Sequence, residues 1–256
     1  MKASGLAPSL QIEGRVATIL LRRPDVANRL DDHDLATLHD HLETVDAADD
    51  VLVLRVMAEG RYFCSGYNVD NFAAEQRGPK VTFEQLADRL EGVRPITIAA
   101  INGGLYGGAT DLALACDFRI GVATANLFVP AARLGLHFYR GGMERMVSRL
   151  GMNVAKRVLL TCEKMDAQAM LASGFLTTLV DDGVALDDAV ATLTTTLAGM
   201  APLALLGMKR HLNALGHGGI DASRYAHDVH AAGHSEDLVE GALAWREKRP
   251  PVFRGR

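Results

Sequence analysis

The chain has 256 residues, 48% hydrophobic and 23% charged, an ordinary globular composition that excludes collagen-like, coiled-coil and disordered chains. Its 27 Lys and Arg against 31 Asp and Glu leave a net charge of −4 with the basic residues scattered, so nucleic acid is not an expected partner. At about 150 residues per domain the length allows one or two domains, enough to bury a sizeable core.

Runs of β-branched residues predict strands at 16–21, 51–57, 96–101 and 119–122, with a short late one at 179–180. Between them, Leu35, Leu38, Leu42 and Val45 mark one amphipathic helix over 32–46, and Phe83, Leu86, Leu90 and Val93 mark another over 81–93. Beyond residue 140 the pattern is almost wholly helical: 143–150, 154–160, 166–173 closed by Gly174, 186–197, and a helix opened by Pro202. This predicts an α/β protein with a sheet-bearing core over 1–200 and a helical region over 201–256.

The charge-free stretch 189–208 is long enough to span a bilayer, but its four threonines, Gly199 and Pro202 read as two helices, and no membrane partner is expected. The first five residues carry no apolar leader. Cys64, Cys116 and Cys162 are odd in number and lack metal-ligand spacing, so a reducing cytoplasm and no metal are the expectation.

Two glycine-bearing segments stand out. Strand 96–101 runs into Asn102-Gly103-Gly104-Leu105-Tyr106-Gly107-Gly108-Ala109-Thr110-Asp111 and then a helical run, 112–116. Unpaired N–H groups at a helix start can hold a phosphate or a developing oxyanion, and glycine admits a substrate to the backbone; a tight turn needing positive φ would use the same residues. No G-x-G-x-x-G can be written here, so a nucleotide-cofactor oxidoreductase is disfavoured. The second segment, Phe63-Cys64-Ser65-Gly66-Tyr67-Asn68-Val69-Asp70, follows strand 51–57. Ser65 lacks the G-x-S-x-G frame of a hydrolase nucleophile, and Cys64 in its apolar context reads as a small buried hydrophobe.

In order and spacing these two segments resemble the enoyl-CoA hydratase/isomerase (crotonase) family, through Phe63 to Val69, Ile98-Ala99-Ala100-Ile101-Asn102-Gly103, Gly107-Gly108 and Leu112-Ala113-Leu114-Ala115-Cys116-Asp117. Arg23-Pro24 with Asn28, Leu134-Gly135-Leu136, Gly141-Gly142, Arg149-Leu150-Gly151 and the tail Glu247-Lys248-Arg249-Pro250-Pro251-Val252-Phe253 extend the similarity over nearly the whole chain.

The resemblance implies a spiral of ββα turns with a C-terminal helical trimerisation region, hence a homotrimer or hexamer. It implies an acyl-CoA thioester as substrate, no cofactor beyond the CoA that the substrate carries, and an enolate held by two backbone N–H groups, which map to Ser65 and Gly108. Loss of one such donor typically costs about 3 kcal/mol of transition-state stabilisation, so Ser65→Ala, which keeps the amide, should be mild. CoA contacts carry over to Val26, Ser65, Gly66, Tyr67, Asn68 and Gly108, and Lys248 is either a neighbour's nucleotide contact or a solvated helix-end cation.

Family hydratases use two glutamates, and this sequence departs at both positions: the first is Asp111 and the second is Ala131. Alanine moves no proton, so two-carboxylate hydration lacks a partner unless His137 or Tyr139, just downstream, supplies it; Tyr67 and Asp70 flank the oxyanion segment. Glu144 reads as a first-turn acid, and the remaining histidines, with His227, His230 and His234 at helical spacing, are assigned no chemistry. The leading expectation is an enoyl-CoA hydratase or isomerase. An acyl-CoA decarboxylase, a C–C hydrolase and an inactive acyl-CoA binder are the alternatives.

Overall fold

In a computed structural model, residues 5–68 and 81–256 are described. A strand pair opens the chain: β1 (Leu6–Glu13) folds back antiparallel on β2 (Val16–Arg22). Next comes α1 (Asp32–Asp46), which starts in a capping box where Asp31 and Asp34 each accept the other's amide. Its Leu35, Leu38, Leu42 and Val45 are buried as the spacing predicts.

Three successive turns then repeat one plan. In each, a strand joins a large sheet, a three-residue strand joins a small one, and the chain passes on to a helix. The first is β3 (Val53–Ala58), β4 (Tyr62–Cys64) and α2 (Phe83–Gly92), the second β5 (Ile96–Ile101), β6 (Gly104–Tyr106) and α3 (Gly108–Ala115). The third is β7 (Phe118–Val122), β8 (Asn126–Phe128) and α4 (Arg140–Leu160). After β9 (Met165–Asp166), α5 (Ala167–Ala172) and β10 (Thr178–Val180), the large sheet reads β1-β2-β3-β5-β7-β10 and the small one β4-β6-β8-β9. The ββα spiral expected from the resemblance is present. Every β5 side chain is buried, as a central parallel strand covered on both faces requires.

The helices 143–150 and 154–160 form one element, α4, bent at Gly151, whose φ of 79° interrupts helical geometry. The short strands β4, β6, β8 and β9 escape the sequence reading because two or three residues cannot establish a periodicity. The chain ends in α6 (Gly183–Ala198), α7 (Pro202–Gly216), α8 (Ala222–Gly233) and α9 (Glu236–Glu247). A bend of 111° separates α6 from α7, in line with two helices over 189–208, and among the described residues no single helix is long and apolar enough to cross a membrane.

Candidate active site

Parallel strands release their loops at the same sheet end, and here the carboxyl ends of β3 and β5 deliver the two glycine segments side by side. Gly66 has φ of 86°, and a Cβ on it would lie 2.6 Å from the Tyr106 carbonyl oxygen and 3.3 Å from Gly108 N. Only glycine lets these two backbones touch.

The loop after β2 closes the other side. Asn28, buried, accepts from Arg23 N through Oδ1 at 2.8 Å and donates through Nδ2 to Glu59 O and Tyr62 O at 2.9 Å. Leu30 N donates to Gly66 O and Asn68 N to Leu30 O, both at 2.9 Å, an isolated parallel bridge between Leu30 and Tyr67 that ties the segment to this loop. The Ser65 hydroxyl stands 3.5 Å from Val26 O and the Tyr67 phenol donates to Asp32. The residues expected to hold CoA, Val26 and Ser65 to Asn68, thus form one continuous wall with Gly108 at its edge.

One expected donor is engaged elsewhere. Ser65 N–H donates to Ala27 O at 2.9 Å, so this amide serves the fold and does not face an oxyanion here. In the parallel bridge between Leu30 and Tyr67, residues 66 and 68 supply the bonds to Leu30, which directs the Tyr67 amide away from that loop. Gly108 stands at the first helical position of α3, behind Gly107 at φ 56°, where a backbone N–H has no intrahelical acceptor.

Asp111 is fully buried one turn further on. Arg145, 1% exposed, grips both of its oxygens, Nε to Oδ1 at 2.8 Å and Nη2 to Oδ2 at 2.7 Å, and the Tyr139 hydroxyl donates to Oδ2 at 2.8 Å. The remaining Arg145 nitrogen, Nη1, donates to Asp88 at 2.7 Å and Glu91 at 2.9 Å. Burial works against the Arg145 charge, but the hydrogen bonds and charges of Asp111, Asp88 and Glu91 outweigh it and raise its pKa. Burial, then the Asp111 charge beside it, holds the Tyr139 phenol far above its usual range, so Tyr139 is a proton-bearing donor at neutral pH.

The structure therefore joins Asp111 to Tyr139, as the sequence allows, and leaves His137 apart: its ring is exposed, with Nδ1 2.7 Å from Phe138 O. Ala131 opens a short 3-10 turn (Ala131–Leu134) and brings no titratable group. Asp70 lies outside the described residues. Cys64 is buried, and desolvation pushes its thiol up to about 12, consistent with an inert small hydrophobe.

Arg145 is the residue that sequence reasoning missed. It sits between Gly142 and Met146 on the inner face of α4, and a cation on a buried helix face requires buried carboxylates opposite. Glu144 is not a first-turn acid: it pairs with Arg140 at 2.7 Å and lies 3.6 Å from His217 Nδ1. His217 Nε2 in turn meets Glu91 at 2.9 Å, and His211 Nε2 meets Asp228 at 3.1 Å, so two histidines assigned no role lie in hydrogen-bond contact with carboxylates.

The family model for enoyl-CoA hydratase/isomerase matches residues 11–256. The chain belongs to this family. It is 33% identical to carnitinyl-CoA dehydratase of Proteus mirabilis over 96% of this chain and 98% of that one. It is 29% identical to 2,3-dehydroadipyl-CoA hydratase of Escherichia coli over 94% and 96%. Among solved structures it is similar to an enoyl-CoA hydratase/carnithine racemase from Magnetospirillum magneticum, with a TM-score of 0.91, 25% identity, and 98% and 96% of the two chains covered. An acyl-CoA enzyme of the crotonase superfamily is thus the coarse identity, and the ion-paired Asp111 with Ala131 is where this family member departs from a two-carboxylate site.

Proposed function

We propose that this protein stabilises the enolate of an acyl-CoA thioester with backbone N–H groups and runs a reaction that needs no carboxylate base. The donor that the geometry offers in this reading is Gly108 N–H, at the first helical position of α3. One observation carries the reading: both oxygens of Asp111 are held by Arg145, and a third donor, Tyr139, occupies the side chain as well. A carboxylate held this way is a poor proton shuttle, because taking a proton would break a buried ion pair. Hydration needs a base for water and an acid for the α-carbon, and isomerisation needs a base to move a proton between carbons.

Decarboxylation of a 2-carboxyacyl thioester asks for neither. The bond from the α-carbon to the carboxylate breaks, CO2 leaves, and the electron pair moves onto the thioester oxygen, where the amides receive it. Water then protonates the α-carbon. No cofactor enters this scheme.

A panel of thioesters tests it. Methylmalonyl-CoA should lose CO2, crotonyl-CoA should keep its enoyl absorbance, and Asp111→Asn should decarboxylate at a rate within a few-fold of wild type per folded molecule. Hydration of crotonyl-CoA that Asp111→Asn lowers by the factor of about 10²–10⁴ expected for a lost acid or base would overturn the proposal. A second reading rests on Ala131: with one acid position empty and the other ion-paired, the chain is an acyl-CoA binder, and thioester binding without turnover of any panel member would select it.

Self-association belongs to the same proposal. The C-terminal helices expose Leu212 at 66%, Val239 at 69% and Trp245 at 86%, apolar side chains that a subunit contact would cover, and the family resemblance makes a trimer the proposed assembly.

A further inference from the structure

A cavity of about 430 Å³ lies at the opposite end of the large sheet from the glycine segments. Its floor is the amino ends of the parallel strands: Arg15 precedes β2, Leu52 precedes β3 and Arg94 precedes β5. Its roof is α7, α8 and the tail, which bring Arg210, Arg224 and Arg254 to the same space. The catalytic candidates follow the carboxyl ends of β3, β5 and β7, so the two places are separated by the length of the strands.

Five arginines meet three aspartates in this lining, Asp49, Asp50 and Asp228. Asp49 and Asp50 are exposed, whereas the Asp228 side chain is 12% exposed and surrounded by Arg210, Arg224 Nε at 3.3 Å, and the rings of His211 and His227. Arg15 and Arg94 are held by carbonyl oxygens instead of carboxylates. Arg15 donates to Ala198 O at 3.0 Å and Phe253 O at 2.6 Å, and Arg94 to Ala48 O at 2.6 Å and Val51 O at 3.1 Å. Carbonyls fix a guanidinium in place but leave its charge unneutralised. Arg94 Nε is buried without a hydrogen-bond partner, and among the described residues Arg15, Arg94 and Arg254 form no ion pair.

We infer that this cavity is a second ligand site, for a phosphate-bearing small molecule. The volume lies in the range of small-ligand pockets, and guanidinium groups preset by backbone carbonyls match the planar two-point geometry that phosphate oxygens accept. A dianion would offset the positive excess of this lining, five arginines against three aspartates. The same chemistry could come from a free phosphorylated compound or from the phosphates of CoA itself, and the sheet placement favours the free compound.

Inorganic pyrophosphate is the probe. Titrated into the full-length protein at constant ionic strength, it should raise the melting temperature saturably, and calorimetry should return a finite Kd. Arg224→Gln with Arg254→Gln, two exposed positions outside the catalytic candidates, should weaken that Kd at least tenfold while leaving the Kd for an acyl-CoA unchanged. Saturating CoA should leave the pyrophosphate response in place. No response, a response equalled by sodium chloride, a response retained in the double variant, or displacement by CoA would each overturn the second site.

Discussion

Arg145→Met removes the cation that keeps Asp111 in place. Four hydrogen bonds at 2.7–2.9 Å go with it, and Asp111 is left buried with Tyr139 as its remaining partner. Asp88, half exposed, resolvates, and Glu91 keeps Arg149 and His217. Stranding one member of a buried pair costs about 3–5 kcal/mol. For a chain of this size about 2–4 °C accompanies each kcal/mol, so the variant should melt roughly 6–20 °C below wild type. Arg145→Met combined with Asp111→Asn removes both charges and keeps an acceptor for Tyr139. The double variant should therefore be about 1–3 kcal/mol more stable than the sum of the single losses, read from urea denaturation midpoints. Additivity within about 0.5 kcal/mol would refute the ion pair as the organising contact of the site.

Burial raises the Asp34 carboxyl from 3.8 to about 6, with the Asp31 charge adding to it. Between those values the native state binds more protons than the unfolded chain, so this group's contribution falls as pH rises through the window. Asp34→Asn should gain stability relative to wild type across the same interval, and a constant difference in denaturation midpoint would count against it. Gly66→Ala places a Cβ 2.6 Å from Tyr106 O at a φ of 86°, so both stability and thioester binding should drop, whereas Ser65→Ala should leave kcat/KM within a few-fold of wild type. Leu212→Glu with Val239→Glu should shift sedimentation toward monomer; an unchanged species would place the subunit contact elsewhere.

The helical stripes and strands β2, β3, β5 and β7 were legible because their patterns are written in consecutive residues, such as Leu35, Leu38, Leu42 and Val45 on α1 and the β-branched run of β5, whereas β1, half-polar and held by its antiparallel pairing to β2, was not. The small sheet was not, since β4, β6 and β8 of three residues owe their existence to pairing with each other across the spiral. At the site, the two glycine segments were visible as chain punctuation, and their contact follows from adjacent parallel strands. The fate of the Ser65 amide was not, because its acceptor, Ala27 O, lies 38 residues away along the chain and carries no side-chain signal.

The same limit explains Asp111. The family resemblance marks it for proton transfer, and the helix dipole at the start of the glycine-led helix favours its negative charge. What the carboxylate can do depends on what faces it from α4, and an arginine 34 residues downstream, inward on a helix, makes it half of an ion pair. A glutamate at the same position would reach about one methylene further. Aspartate ends where the Arg145 fork and the Tyr139 hydroxyl can close on both oxygens, with no exposed surface left. The shorter side chain and the inward arginine are consistent with each other, and with Ala131 at the second position they are the observations on which the proposed base-free chemistry rests. The backbone that would hold an enolate stays assembled: Gly66 against Tyr106 and Gly108, Asn28 binding the first loop to the second. On the proposed reading, a scaffold that presents Gly108 N–H and ties its one carboxylate into an ion pair suits chemistry in which the substrate itself releases the electron pair.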